Sequence, residues 1–128
     1  MHSVCGLLFW SEMEVKQMKI NKKNALKLWE SCYGDKLYAE DFHGYLMCRD
    51  GYGNPDYFIY SNGERIYCGW NIHHILPKAL GGTNALTNLL CTNIATNEEA
   101  GDRITFWIDD CLYQVQRCDD RHRIFQLN

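Results

Sequence analysis

The chain has 128 residues, of which 46% are hydrophobic and 23% are charged, values typical of one globular domain. Its net charge of −3 argues against a protein that binds nucleic acid through bulk positive charge. No apolar run is long enough to cross a membrane, so a membrane partner is not expected.

Cysteine usage indicates a reducing compartment. The seven cysteines form an odd set without a Cys-x-x-Cys pair, whereas disulfide frameworks favour even sets and zinc ribbons need close pairs. We therefore expect free thiols packed as small apolar groups in a cytoplasmic protein. The apolar segment 4–10 has no basic residue before it and no small-residue cleavage site after it, so no signal peptide is predicted. Residues 1–17 are expected to be a poorly ordered tail, with residues 18–128 as the domain.

Two helices are predicted in the first third of the domain. Residues 21–34 show apolar positions at helical spacing and end in a glycine. The residues on that apolar face are Ala25, Leu28, Trp29 and Cys32. Residues 35–48 carry a weaker helical pattern, with Phe42, Tyr45 and Leu46 on one side, and predict a second helix.

Strands are predicted on both sides of the central segment. Residues 57–60 and 64–68 flank Asn62-Gly63, a dipeptide that favours a tight hairpin turn. A C-terminal β meander is predicted for residues 104–108, 111–118 and 123–127. Since no repeat or linker interrupts the chain, the pattern predicts a single small α+β domain.

The residues from 70 onward carry the chemistry. A short strand is predicted to end in His73-His74, and Pro77 follows it. Neighbouring side chains on a strand point to opposite sides, so two adjacent histidines are suited to two different roles. One can bind a metal ion while the other reaches a different point around the same site.

The chain is then predicted to return to the histidines. Gly81-Gly82 permits a tight reversal, residues 83–88 form a polar loop, and residues 89–90 form a short strand. A helix is predicted from about Thr92 to Ala100, capped by Thr92 or Asn93. Such a helix would bring Asn97 back beside His73.

This pattern resembles the HNH endonuclease family, whose shared unit is a ββα-metal finger, also called a His-Me finger. The resemblance covers about residues 67–103. The last ligand is a second histidine in many members, whereas the HNH domain of CRISPR RNA-guided nucleases is similar in using Asn. The elements that carry the resemblance are His73-His74-Ile-x-Pro77, Gly81-Gly-Thr-Asn84, Asn88-Leu89 and Asn97.

The resemblance implies one role for each matching residue. His73 and Asn97 match the metal ligands, His74 matches the general base, and Asn88 matches the Asn that braces the loop. Together they imply metal-dependent hydrolysis of DNA phosphodiester bonds.

Lys78 and Arg103 are candidates for phosphate contacts. The alternative interpretation is a pair of solvated charges, or an Arg103–Glu99 pair within the helix. A second open question is the basic cluster Arg117, Arg121 and Arg123, which fits either a phosphate contact or a solvated surface.

The metal and the partners are less well defined by the sequence. Mg²⁺ and Mn²⁺ are expected first, while an imidazole ligand also suits Ni²⁺ or Zn²⁺. The resemblance implies contact with DNA phosphates in the minor groove, with specificity supplied by flanking segments or a protein partner. A C₂ homodimer is one way to cut both strands. The alternatives are a catalytically silent module that binds nucleic acid or a protein, and a structural metal protein. RNA as the substrate also stays open.

Four large aromatic residues near or beyond these elements are predicted as core rather than base-stacking platforms. They are Trp29, Trp70, Phe106 and Trp107.

Overall fold

The first helix begins and ends where its capping residues place it. The computed structural model describes residues 16–128, and in it α1 spans Lys22–Tyr33. The Asn21 side chain accepts a hydrogen bond from the backbone N–H of Asn24 at 2.8 Å, and Gly34 ends the helix with a φ of 66°. Ala25, Leu28 and Trp29 are buried as predicted, whereas Cys32 is exposed.

The prediction of a second helix over residues 35–48 is wrong, so the described chain has one helix before the central segment. Strands β1 (Tyr38–Glu40) and β2 (Leu46–Cys48) form an antiparallel hairpin there. One Asp41 carboxylate oxygen accepts hydrogen bonds from the backbone N–H groups of residues 43, 44 and 45. Because this side chain satisfies the backbone of the turn, the chain reverses instead of continuing as a helix.

The remaining elements form an α+β domain with several small antiparallel sheets. They are β3 (Phe58–Ser61), β4 (Glu64–Tyr67), β5 (Trp70–His74), β6 (Leu89–Asn93), α2 (Ile94–Ala100), β7 (Thr105–Ile108), β8 (Cys111–Cys118) and β9 (Arg121–Gln126). The predicted hairpin is confirmed as β3–β4, and the predicted meander is confirmed as the sheet β7–β8–β9.

The central hairpin β5–β6 separates two cores. On the side of α1, Trp29 and Trp70 are fully buried with their ring centroids 5.1 Å apart, and Ile72 and Cys91 belong to the same core. The second core lies between α2 and the C-terminal sheet. Its buried members are Ala100, Phe106, Ile108, Tyr113 and Val115.

Trp107 is not a core residue. Its neighbours Phe106 and Ile108 are buried on one side of β7, and Trp107 is 56% exposed. Since side chains alternate along a strand, burying the two neighbours exposes the tryptophan.

The start of the described chain pairs with the loop after β5. Residues 1–15, which include most of the expected tail, lie outside the described residues. Gln17 forms an isolated antiparallel bridge with Ala85, and the Met18 N–H donates to the Asn84 carbonyl at 2.9 Å. Within residues 16–128, no helix has the length and apolar character needed to cross a membrane.

Candidate metal centre and general base

The β5–β6 ladder places the two histidines at the end of the central hairpin. His73 lies opposite Leu90 and His74 lies opposite Leu89. Asn93 then ends β6 and caps α2, because its side chain accepts the N–H of Ala95 at 2.8 Å. The helix therefore begins at Ile94, two residues later than predicted.

Helix α2 brings Asn97 next to His73. The Nδ1 of His73 and the Oδ1 of Asn97 are 2.6 Å apart, although the two residues are separated by 24 positions. An amide oxygen only accepts, so His73 carries its proton on Nδ1 in this arrangement. His73 is 5% exposed, which means that the pair is held inside the ββα unit.

Burial keeps the His73 imidazole in the form that binds metals. Its pKa is lowered mainly by burial, against the opposing effect of the Asn97 hydrogen bond. His74 lowers the pKa further, and the Asp102 carboxylate raises it. The neutral imidazole that results is the protonation state that ligates a cation.

The spacing of the pair is close to that of two ligands of one ion. Two adjacent ligands with bonds of about 2.1 Å on an octahedral ion lie roughly 3 Å apart. The observed 2.6 Å needs to widen by a few tenths of an ångström, and the Nδ1 proton must move to Nε2. Within residues 16–128, no group of three or more His, Cys, Asp or Glu side chains has metal-site geometry. An ion here would therefore have one imidazole and one amide as its ligands, leaving coordination positions for water and phosphate.

His74 is oriented by a residue to which the sequence assigned no role. Its Nε2 lies 2.7 Å from the Oδ1 of Asn84, so Nε2 carries the proton and Nδ1 offers its lone pair. Asn84 is itself held by its backbone, whose N–H donates to the Gln17 side chain at 2.7 Å. The only sequence signal for Asn84 is its place directly after Gly81-Gly82-Thr83.

Asn88 ties the end of β5 to the loop. It is 8% exposed, and its Oδ1 accepts the N–H of Leu76 at 2.9 Å. Its Nδ2 donates to the carbonyl oxygens of Leu76 at 3.1 Å and Thr83 at 2.9 Å. Gly82 allows this closeness, since a Cβ there would stand 1.7 Å from the Leu76 carbonyl oxygen.

Lys78 and Arg103 are not joined to the histidines by any hydrogen bond or ion pair within residues 16–128. Lys78 is exposed at the start of a short 3₁₀ turn. The Arg103 guanidinium donates to the backbone carbonyl oxygen of Glu99. The predicted Arg103–Glu99 pair therefore forms through the backbone and not through the carboxylate.

Chemically, the arrangement offers a neutral imidazole and an amide oxygen for a cation, beside a second imidazole whose free nitrogen can accept a proton. The two histidines lie at one end of a strand, and Asn84, Asn88 and Asn97 hydrogen-bond to them or to the loop that follows them. No family model, curated protein or solved structure matches this chain.

Proposed function

We propose that this protein is a metal-dependent endonuclease of the HNH type, which hydrolyses DNA phosphodiester bonds through a ββα-metal core built from β5, β6 and α2. The observation that carries the proposal is the contact between His73 and Asn97 at 2.6 Å, next to a second histidine with one free ring nitrogen.

His73 and Asn97 would hold the cation, with Mg²⁺ or Mn²⁺ expected first and Ni²⁺ or Zn²⁺ as alternatives. When bound, the ion supplies positive charge next to the phosphate oxygen and the departing 3′ oxygen. The Nδ1 of His74 would take a proton from the attacking water. The water oxygen bonds to phosphorus as the P–O3′ bond breaks, and the 3′ oxygen takes up a proton from solvent.

The charge of the chain shapes how DNA is held. With a net charge of −3, affinity depends on a few local cations, among which Lys78 and Arg103 are candidates nearest to the site in sequence. Target selection would come from flanking segments or a protein partner, and a homodimer would permit cleavage of both strands.

The proposal is tested by nicking of supercoiled plasmid with Mg²⁺, Mn²⁺, Ni²⁺ or Zn²⁺. We expect metal-dependent conversion to the open circle, lost in chelator and in His74→Ala, and reduced in Asn97→Ala. Arg65→Ala is the control, since Arg65 is exposed on β4 outside the site. Equal nicking by His74→Ala and the wild type would reject His74 as the base. No cleavage with any metal would favour the silent binding module.

A further inference from the structure

A cleft is lined by the cross-strand partners of the two histidines, although not by the histidines themselves. It has a volume of about 390 Å³ and lies between β9 and residues 86–90. Leu90 and Leu89, which line it, are the cross-strand partners of His73 and His74. Ile75, the residue after His74, lines it as well. Directly opposed residues have Cβ atoms about 5 Å apart, so the cleft begins next to the candidate site.

The floor and the rim of this cleft differ in chemistry. The half-buried Ile75, Leu90 and Ile124 give it an apolar floor, while the exposed Phe125 and Arg123 stand at its edge on β9 beside the half-buried Arg121. No Asp or Glu of the described chain lines it. Its volume falls in the range of about 300–1,000 Å³ that is typical of small-ligand sites.

The arginine positions are not equivalent. Arg121 is paired with Asp120 at 3.2 Å, which neutralises part of its charge. Arg123 is exposed, and its guanidinium makes no hydrogen bond or ion pair with any residue of the described range 16–128. An exposed guanidinium without a carboxylate partner is available for a phosphate.

We infer that this cleft receives one unpaired nucleotide next to the scissile phosphate, with the base on the apolar floor and a flanking phosphate on Arg123. The inference rests on the proposed nuclease function and names its substrate class: DNA with a bulged, gapped or single-stranded nucleotide at the cleavage point. Apolar and aromatic side chains accept an extruded base by stacking. A purely apolar partner would gain nothing from the cationic edge, whereas a nucleotide uses the floor and the edge together. Since a base must leave the duplex to enter, fully paired DNA is the weaker ligand.

A binding measurement tests this inference separately from catalysis. Fluorescence anisotropy with His74→Ala protein and Mn²⁺ would compare a fully paired duplex with the same duplex carrying one unpaired nucleotide. We expect about ten-fold tighter binding of the second, as stacking of one base provides. Arg123→Ala should weaken that binding several-fold, and Thr87→Trp, which adds a large ring to the lining of the cleft, should remove the preference. Arg65→Ala and Thr105→Trp are matched controls, because both residues are exposed outside the cleft.

The outcomes are distinct. Preference for the unpaired nucleotide that is lost only in the cleft variants supports the inference. Equal affinity for both duplexes, or a preference untouched by Arg123→Ala and Thr87→Trp, overturns it even if the wild type nicks plasmid. Failure to bind any DNA together with failure to nick would instead remove the proposed function on which it rests.

Discussion

Asn84 decides which nitrogen of His74 is available for chemistry. Its amide oxygen occupies Nε2 at 2.7 Å, which leaves Nδ1 as the acceptor for a water proton. The proposed base is therefore oriented by a residue ten positions away that does not have to contact the substrate. Such a residue positions the base, and it should be separable from the base by mutation.

Asn84→Ala is expected to lower the nicking rate about ten-fold, as loss of a residue that orients a site ligand typically does. Asn84→Asp should restore much of the rate, because a carboxylate oxygen can still accept the Nε2 proton. The measurement is the initial rate of plasmid nicking beside the melting temperature of each variant. If both variants lose the rate only in proportion to stability, Asn84 is structural and does not position His74.

At the level of elements, two turns far apart in sequence are joined by a polar cluster. His43, in the turn between β1 and β2, contacts Tyr113 at 2.6 Å and the Asp109 carboxylate at 2.9 Å. Tyr45 donates to the same carboxylate at 2.5 Å. Asp109 has a φ of 53° in the turn between β7 and β8, so this acceptor is placed by an unusual backbone conformation.

The cluster predicts a pH dependence of stability. The pKa of Asp109 is lowered, first by the Tyr45 hydrogen bond and then by His43. Because the pKa is lower in the folded protein than in the unfolded chain, the stabilisation is complete above the ordinary Asp value of about 3.9 and is lost as pH falls through the folded value. Wild type should therefore melt above Asp109→Asn at pH 7, with the difference shrinking toward pH 3.

Thermal melts from pH 7 to pH 3 measure this difference. The control is Asp110→Asn, the next residue, whose side chain makes no hydrogen bond or ion pair within residues 16–128. A constant difference between wild type and Asp109→Asn across this range would show that the carboxylate charge does not matter.

At the scale of the whole molecule, the elements that the sequence predicts correctly are those whose ends and turns are determined by neighbouring residues. The helix end at Gly34, the Asn62-Gly63 turn and the strands of the meander are all indicated by neighbouring residues. The spacing of Asn97 from Asn93 is likewise one helical turn, which explains how a sequence pattern could bring it beside His73.

The predictions that are wrong or incomplete depend on contacts, or on the burial of a side chain, that the local sequence pattern does not contain. Asp41 turned a weak helical signal into a hairpin, because its carboxylate binds three backbone N–H groups of the turn and also the N–H of Asn93 at 2.9 Å. Asn84 is held in place by hydrogen bonds to Gln17, which lies 67 positions earlier in the chain, and to Met18. Residue type alone predicts that Trp107 lies in the core, whereas strand alternation exposes it.

The separation of the strands into small sheets has a consequence for local opening. Strands β3 and β4 pair only with each other in the described chain, and Phe58, Tyr60 and Tyr67 are exposed on one face. This hairpin can open without disrupting either core, whereas β5–β6 is packed on both faces and opens only with global unfolding. Native-state amide hydrogen exchange should therefore release the β3–β4 amides well before that of Ile72. Equal protection of both hairpins would mean that the domain opens as one cooperative unit, and slower exchange at β5–β6 would mean that the two histidines remain fixed while the outer hairpin opens.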